Sequence, residues 1–340
     1  MAGGSLILRG VKRAQAQITT ESVKMNAFDF SGAPTASAFR DVSAVLQSLE
    51  RAKTAMRAMG KYAPIDLVRR LYQEKNEPAL GGELTDISIM FTDIRDFTAI
   101  SEMLAPDDLA AALGRYLEVM ARIIQQETGG TIDKFIGDAI MTFWNAPMLV
   151  AQHSRMACRA ALRCREAGRA LAQSPEWRGL PPFETRFGLH RERALVGHFG
   201  APDRMNYTAM GDAVNLASRL EGLNKQYGTT ILASERIFEN AREHFDFRVL
   251  DFVAVKGKSE TIKIYELLGE KGEASGHDGA VASYEQAWQL YLARDFAAAI
   301  EILQQAEADP PSVVLLERCR AFQTAPPPAD WQGVYVARSK

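Results

Sequence analysis

Two hydrophobic periods run along this chain, and the switches between them mark its elements. Ile87, Ile89 and Phe91 alternate with Ser88, Met90 and Thr92, the period-2 pattern of a half-buried strand that ends at Asp93. Gly81-Gly82 reads as a break before that strand. Pro106-Asp107-Asp108 opens a helix, with proline in the first turn and acids at the positive end of the dipole. Leu109, Leu113, Tyr116, Met120 and Ile123 follow at helical spacing, and Gly129-Gly130 stops the run. Residues 131–144 read as strand, tight turn, strand, with Asp138 just after the turn residue Gly137. An alanine-rich helix over about 153–173 follows. Pro181-Pro182 leads into a strand through Phe183, Phe187 and Leu189, and Ala194–Phe199 into another. Gly211-Asp212 opens a helix running to about Tyr227, and two last strands flank Lys256-Gly-Lys258. This order is α+β, a ferredoxin-like βαββαβ core with later additions.

Both flanks are helical. Residues 5–60 predict two helices around a Ser31-Gly32-Ala33-Pro34 connector, the second carrying Phe39, Val42, Leu46, Leu49 and Met56 on one seam that Lys53 interrupts. That seam fits an amphipathic helix packed on its own domain or a parallel dimeric coil. Residues 281–340, after a linker at 271–280, place Tyr284, Ala287, Trp288, Tyr291, Phe296, Ala299 and Ile300 like one tetratricopeptide-like hairpin. A single unit is too short for a solenoid, so the hairpin is expected to dock on the core.

Composition narrows the class. The 340 residues are 47% hydrophobic and 24% charged, with 40 basic against 42 acidic side chains and a net charge of −2. No basic field points to nucleic acid, and no polybasic block to a membrane surface. Cys158, Cys164 and Cys319 lack Cys-x-x-Cys spacing and read as buried thiols. These reduced thiols point to a cytoplasmic location, and no apolar run approaches the ~18 residues of a membrane span. Met1-Ala-Gly-Gly-Ser5 reads as an appended start, with the natural chain extending upstream.

Four features carry chemistry. Asp93 and Asp138 are acids at the ends of adjacent strands; either alone is a turn residue, but together they would repel unless hydrated, hydrogen-bonded or bound to metal. Asn215 and Arg219, four apart, share one helix face and suit an oxygen-rich anion. Lys256 and Lys258 put cations at a turn. Lys134 sits in a strand bound for burial, where a lysine needs a partner.

Phe91-Thr-Asp93-Ile-Arg, Asp133-Lys134-Phe-Ile-Gly-Asp138-Ala and Asn206-Tyr-Thr208-Ala-Met-Gly-Asp-Ala-Val-Asn215-Leu-Ala-Ser-Arg219 together resemble the class III nucleotide cyclases. The resemblance covers about 86–268. It implies that Asp93, Asp138 and the Ile94 carbonyl hold two Mg²⁺ or Mn²⁺ ions per site. Lys134 and Thr208 would occupy the base-selecting positions, Asn215 would orient the ribose, Arg219 would stabilise the transition state, and Lys256 would contact the triphosphate. It also implies a head-to-tail homodimer in which each site draws on both copies. Lys134 can only donate, which suits adenine N1, and the Thr208 hydroxyl can accept from N6; ATP is therefore the expected substrate and cyclic AMP the product. Thr208 also resembles the subgroup that responds to bicarbonate. Two positions depart from the family pattern. Asp96 stands where glycine is usual. His190-Arg191-Glu192-Arg193 replaces a glycine-containing turn, which puts the strand connection in question and offers Arg193 as a phosphate contact.

The N-terminal pattern, with Phe28-Asp-Phe30 before its connector, resembles a HAMP module. The expected layout is a HAMP-like segment at 1–60, a transducer linker at 61–85, the cyclase domain at 86–270, the linker at 271–280 and the tail at 281–340. A sensor or membrane anchor is expected upstream, with the catalytic domain in the cytosol. The competing readings are a guanylyl cyclase, which would carry an acid at Lys134, a diguanylate cyclase, whose Gly-Gly-(Asp/Glu)-Glu-Phe turn is missing, and a degenerate nucleotide-sensing module.

Overall fold

The computed structural model describes all residues except 1, 33–36, 38, 61, 63, 75–76, 255–260, 274–277, 307 and 336–340. The chain divides into two compact units, Met1–Pro78 and Ala79–Lys340. The first holds α1 (Ala2–Asn26), α2 (Arg40–Met59) and α3 (Ile65–Glu74). Lys53, the residue that interrupts the α2 seam, is 1% exposed and pairs with Glu21 of α1. The seam thus accommodates a charge because an opposite charge meets it. Phe28 packs edge-on against Phe30 and Tyr72, at centroid distances of 5.3 and 4.9 Å.

The second unit is built on a nine-stranded sheet. Its elements are β1 (Gly81–Ile94), α4 (Phe97–Met103), α5 (Pro106–Arg122), β2 (Thr131–Ile136), β3 (Ala139–Trp144), α6 (His153–Ala172), β4 (Thr185–Ala201), β5 (Arg204–Met210), α7 (Asp212–Tyr227), β6 (Ile231–Ser234), α8 (Glu235–Ala241), β7 (Phe245–Ala254), β8 (Thr261–Glu270), α9 (Asp278–Leu292), α10 (Phe296–Leu303), α11 (Pro310–Thr324) and β9 (Val334–Tyr335). The strand order is β2-β3-β1-β4-β6-β8-β7-β9, with β5 paired to β4. Its first four members, in the order β2-β3-β1-β4, are the expected βαββαβ core. Hydrophobic residues from α5, α6 and α8 fill one cluster with Met90, Trp144, Phe187 and Leu189, while Ala213 and Ala217 of α7 join Ile87, Ile89 and Phe143 in another. The period-2 alternation of β1 therefore serves two cores.

Three expectations need correction. Gly81-Gly82 does not break the chain; it begins β1. A Cβ on Gly82 would lie 2.9 Å from the Val196 carbonyl oxygen, and one on Gly197 would lie 2.1 Å from that of Gly81, so these glycines let β1 and β4 approach. The two strands expected at 183–199 are one, the 17-residue β4. His190–Arg193 makes no turn because each polar group has a partner along the ladder. Arg191 grips Asp86 with Nη2 at 2.7 Å, and His190 Nδ1 and Ser234 Oγ lie 2.8 Å apart. The expected hairpin is present as α9 and α10, and among the described residues the tail extends it with α11 and the short strand β9. It docks as expected, with Tyr284, Trp288 and Tyr291 packing against Leu220, Tyr227 and Leu250 in one core. Cys158, Cys164 and Cys319 are buried and unpaired.

Candidate active site

Asp93 lies one residue from the end of β1, and Asp138 in the turn between β2 and β3. The pairing of β3 with β1 aligns Ile140 with Thr92 and so carries the turn to the strand end. There the Ile94 N–H donates to Asp138 Oδ2 at 3.0 Å. Burial pushes the Asp138 carboxyl above its ordinary range; the Ile94 bond opposes the rise, and Asp93 adds to it. Two acids crowd one place, as the spacing predicts. Among the described residues no group of three or more His, Cys, Asp or Glu side chains could hold a metal ion. The donors expected from the resemblance, two carboxylates and the Ile94 carbonyl, would be few enough for Mg²⁺ or Mn²⁺ to keep substrate and water oxygens.

Arg186 of β4 stands across the ladder from Asp93 and donates from Nη2 to its Oδ2 at 2.8 Å. Nothing local in the sequence marks Arg186. A cation directly opposite a strand-end acid becomes visible only once the register is known.

A second group forms around Asp133, whose side chain is 1% exposed. Lys134 Nζ lies 3.2 Å from Asp133 Oδ1, but the expected burial of its strand is not found: the Lys134 side chain is 43% exposed and β2 stays exposed to its end, so the pairing is not forced by burial. Thr208 Oγ1 of β5 donates to Asp133 Oδ2 at 2.5 Å. The two base-selecting candidates, 74 residues apart in sequence, thus meet at one carboxylate.

Asn215 and Arg219 occupy exposed positions on α7, while Ala217 and Leu220 are fully buried, as the helical spacing predicts. The helix lies close over β4 because Gly188 has no side chain. A Cβ there would sit 2.2 Å from the Glu221 backbone nitrogen. Asp96 precedes α4 at φ 53°, ψ 30°. This left-handed backbone explains why glycine is usual there and why aspartate, which tolerates it, can replace it.

Arg193 is not brought to the acid pair. It faces Asp86, seven residues before Asp93 and so about 23 Å along an extended strand, and its Nη2 donates to the Leu84 carbonyl at 3.4 Å. The expected phosphate role does not fit that place within one chain. Lys256 and Lys258 lie outside the described residues.

Residues 82–269 match the family model of the adenylate and guanylate cyclase catalytic domain. The chain belongs to this family. It is 37% identical over 254 residues to adenylate cyclase 1 of Rhizobium meliloti, covering 74% of this chain and 38% of that protein. It is 36% identical over 239 residues to an adenylate cyclase of Anabaena cylindrica, covering 68% and 47%. The chain therefore spans less than half the length of both curated relatives. Among solved structures, the adenylyl cyclase CyaB from P. aeruginosa superposes with a TM-score of 0.51 at 33% identity, covering 57% of this chain and 99% of that one. A bacterial light-regulated adenylyl cyclase shares the fold with a TM-score of 0.59 at 24% identity, covering 71% and 67%.

Proposed function

We propose that this cyclase-family chain is an adenylyl cyclase, converting ATP to 3′,5′-cyclic AMP and pyrophosphate at sites shared by two copies. The observation that carries the reading is the carboxylate pair of Asp93, at the end of β1, and Asp138, in the β2–β3 turn that the Ile94 N–H holds against that strand end. Two Mg²⁺ or Mn²⁺ ions held by Asp93, Asp138 and the Ile94 carbonyl would supply an acidified ribose 3′-hydroxyl and charge neutralisation on the phosphates. Arg186, which holds Asp93, orients that carboxylate. Lys134 donates to adenine N1, and Thr208 accepts from the N6 amino group. Asn215 positions the ribose, so that its 3′-oxygen bonds to the α-phosphorus as the bond to pyrophosphate breaks. Arg219 donates to the α-phosphoryl oxygens as they gain charge, and losing such a donor costs on the order of 10²–10³ in rate. Lys256 is assigned to the triphosphate by resemblance.

The curated relatives, named adenylate cyclases, support the choice of ATP. The shared site follows the family pattern of metal and base residues drawn from different subunits. The 1–60 segment is assigned to signal input as a HAMP-like module, with 61–85 as its transducer. No helix among the described residues is long and apolar enough to cross a membrane. An upstream sensor or anchor remains part of the proposal.

The test is purified protein with Mn²⁺ and either ATP or GTP. Cyclic AMP from ATP, with much less cyclic GMP from GTP, is expected. Cyclic GMP as the main product would move the assignment to a guanylyl cyclase, and ATP binding without turnover would make the chain a nucleotide sensor.

A further inference from the structure

We propose that Asp133, through Thr208 and Lys134, sets the hydrogen-bond polarity of the base pocket, and so decides between 6-amino and 6-oxo purines. The inference rests on the reading of Lys134 and Thr208 as the base-facing pair.

The backbone delivers Asp133 to this place. Ile132 pairs with Thr142 and Lys134 with Met141, adjacent residues of β3, so Asp133 is the extra residue of a β-bulge. A bulge re-aims side chains that a regular strand would send to opposite faces. Here it lets the neighbouring side chains of Asp133 and Lys134 meet at 3.2 Å. The same carboxylate crosses to β5, where Oδ2 receives the Thr208 hydroxyl at 2.5 Å and the Ala209 N–H at 3.3 Å. Both of its oxygens therefore serve the two pocket residues or the backbone beside them.

The consequence follows from counting protons. A threonine hydroxyl has one proton and two lone pairs. With its proton committed to a buried carboxylate, Thr208 has only lone pairs left for a ligand. Lys134 has only donors. The pocket thus offers one acceptor and one donor, matching the N6 amino group and N1 of adenine. A 6-oxo purine presents an acceptor at position 6 and a donor at N1, so it meets lone pair with lone pair and N–H with N–H. Without the Asp133 carboxylate, the Thr208 proton can turn toward the ligand and satisfy a 6-oxo group. Threonine at position 208 is thereby ambiguous in itself, and Asp133 resolves it. Asp133 is a positioning residue, since it acts on the base through its two partners.

The experiment compares ATP with inosine triphosphate, which differs only at position 6 and N1. The measured quantity is the ATP-to-ITP ratio, of kcat/KM and of affinity for the non-cyclising 3′-deoxy analogues, in wild type, Asp133→Leu, Thr208→Ala and the double variant. Asp133→Leu keeps the branching of the side chain but removes both acceptor oxygens, and its melting temperature is read alongside. The expected result is a fall of about 10-fold in the ratio for Asp133→Leu, with little further fall when it is added to Thr208→Ala. An unchanged ratio overturns the proposal, as does an equal loss with both nucleotides, the mark of a purely structural role. Failure of wild type to cyclise either nucleotide strikes the adenylyl cyclase assignment instead, and the analogue affinities still decide the role of Asp133.

Discussion

Arg186 holds Asp93, and it does so while shared. Its Nη2 lies 2.8 Å from Asp93 Oδ2 and its Nε 3.3 Å from Glu221 Oε1. One cation thus stands among Asp93, Glu221 and the nearby Asp138. Burial, with Asp93 second, pushes the Glu221 carboxyl up to about 7, against the pull of Arg186. A carboxyl raised in the folded state binds its proton more tightly there than in the unfolded chain. Stability is then fullest below the unfolded value and is lost as pH rises toward 7. In metal-free buffer, Glu221→Gln is expected to match wild type near pH 4 and to be more stable by on the order of 1–3 kcal/mol above pH 7. Urea denaturation at both pH values checks this, and a pH-independent gap would contradict it.

Gly188 sets the height of α7 over the sheet. A Cβ there would meet the Glu221 nitrogen at 2.2 Å and the Ala217 carbonyl oxygen at 2.3 Å, both of them backbone. Gly188→Ala must displace the helix that carries Asn215 and Arg219. Overpacking of this kind costs about 1–3 kcal/mol, and a displacement near 1 Å costs on the order of 10²-fold in rate. Steady-state kinetics should show kcat falling while the protein remains folded by circular dichroism.

The tail is joined to α7 by a buried charge. Arg318 of α11 pairs with Asp251, whose side chain is 0% exposed, and Tyr227 at the end of α7 also donates to Asp251 at 2.5 Å. Arg318→Leu leaves that carboxylate without its cation and is expected to cost about 3–5 kcal/mol. Adding Asp251→Asn should recover part of the loss. Chemical denaturation of the single and double variants measures both.

Asp96 is the departure from the family pattern nearest the metal candidates. Its left-handed backbone is tolerated by aspartate and free for glycine. Asp96→Gly is expected to leave stability within about 1 kcal/mol of wild type, whereas Asp96→Val should lose about 1–2 kcal/mol. Removing the charge should also lower the KM for the metal–nucleotide complex. Melting curves and initial rates test the two halves separately.

Much of this was legible in the sequence because it is local or periodic. The alternation ending at Asp93, the hairpin whose turn holds Asp138, and the helix bearing Asn215 and Arg219 need only side-chain spacing to be seen. What escaped depends on partners distant in sequence. The charges of 190–193 look like a break in a strand until Asp86 and Ser234 are placed beside them. Arg186 lacks a local signal because its partner is 93 residues away. Asp133 lies in plain view beside Lys134, but a bulge gives it meaning, and a two-residue period cannot reveal a residue that interrupts it. Strand β5 and the short β6–α8 pair escaped because their apolar runs are brief. Helix α11 was hidden by Pro310-Pro311, which sit in its first turn, where proline is accommodated.

The shared site is the central claim, and mixing two inactive variants tests it most directly. Asp93→Asn removes a metal candidate and Arg219→Ala a transition-state donor, and each alone should be nearly inactive. If one copy supplies Asp93 and the other Arg219, a mixed dimer keeps one intact site. Random pairing of equal amounts should then restore cyclic AMP formation to about a quarter of wild type per total protein. No recovery in a mixture shown to form mixed dimers would contradict the account and place both residues in one chain's site.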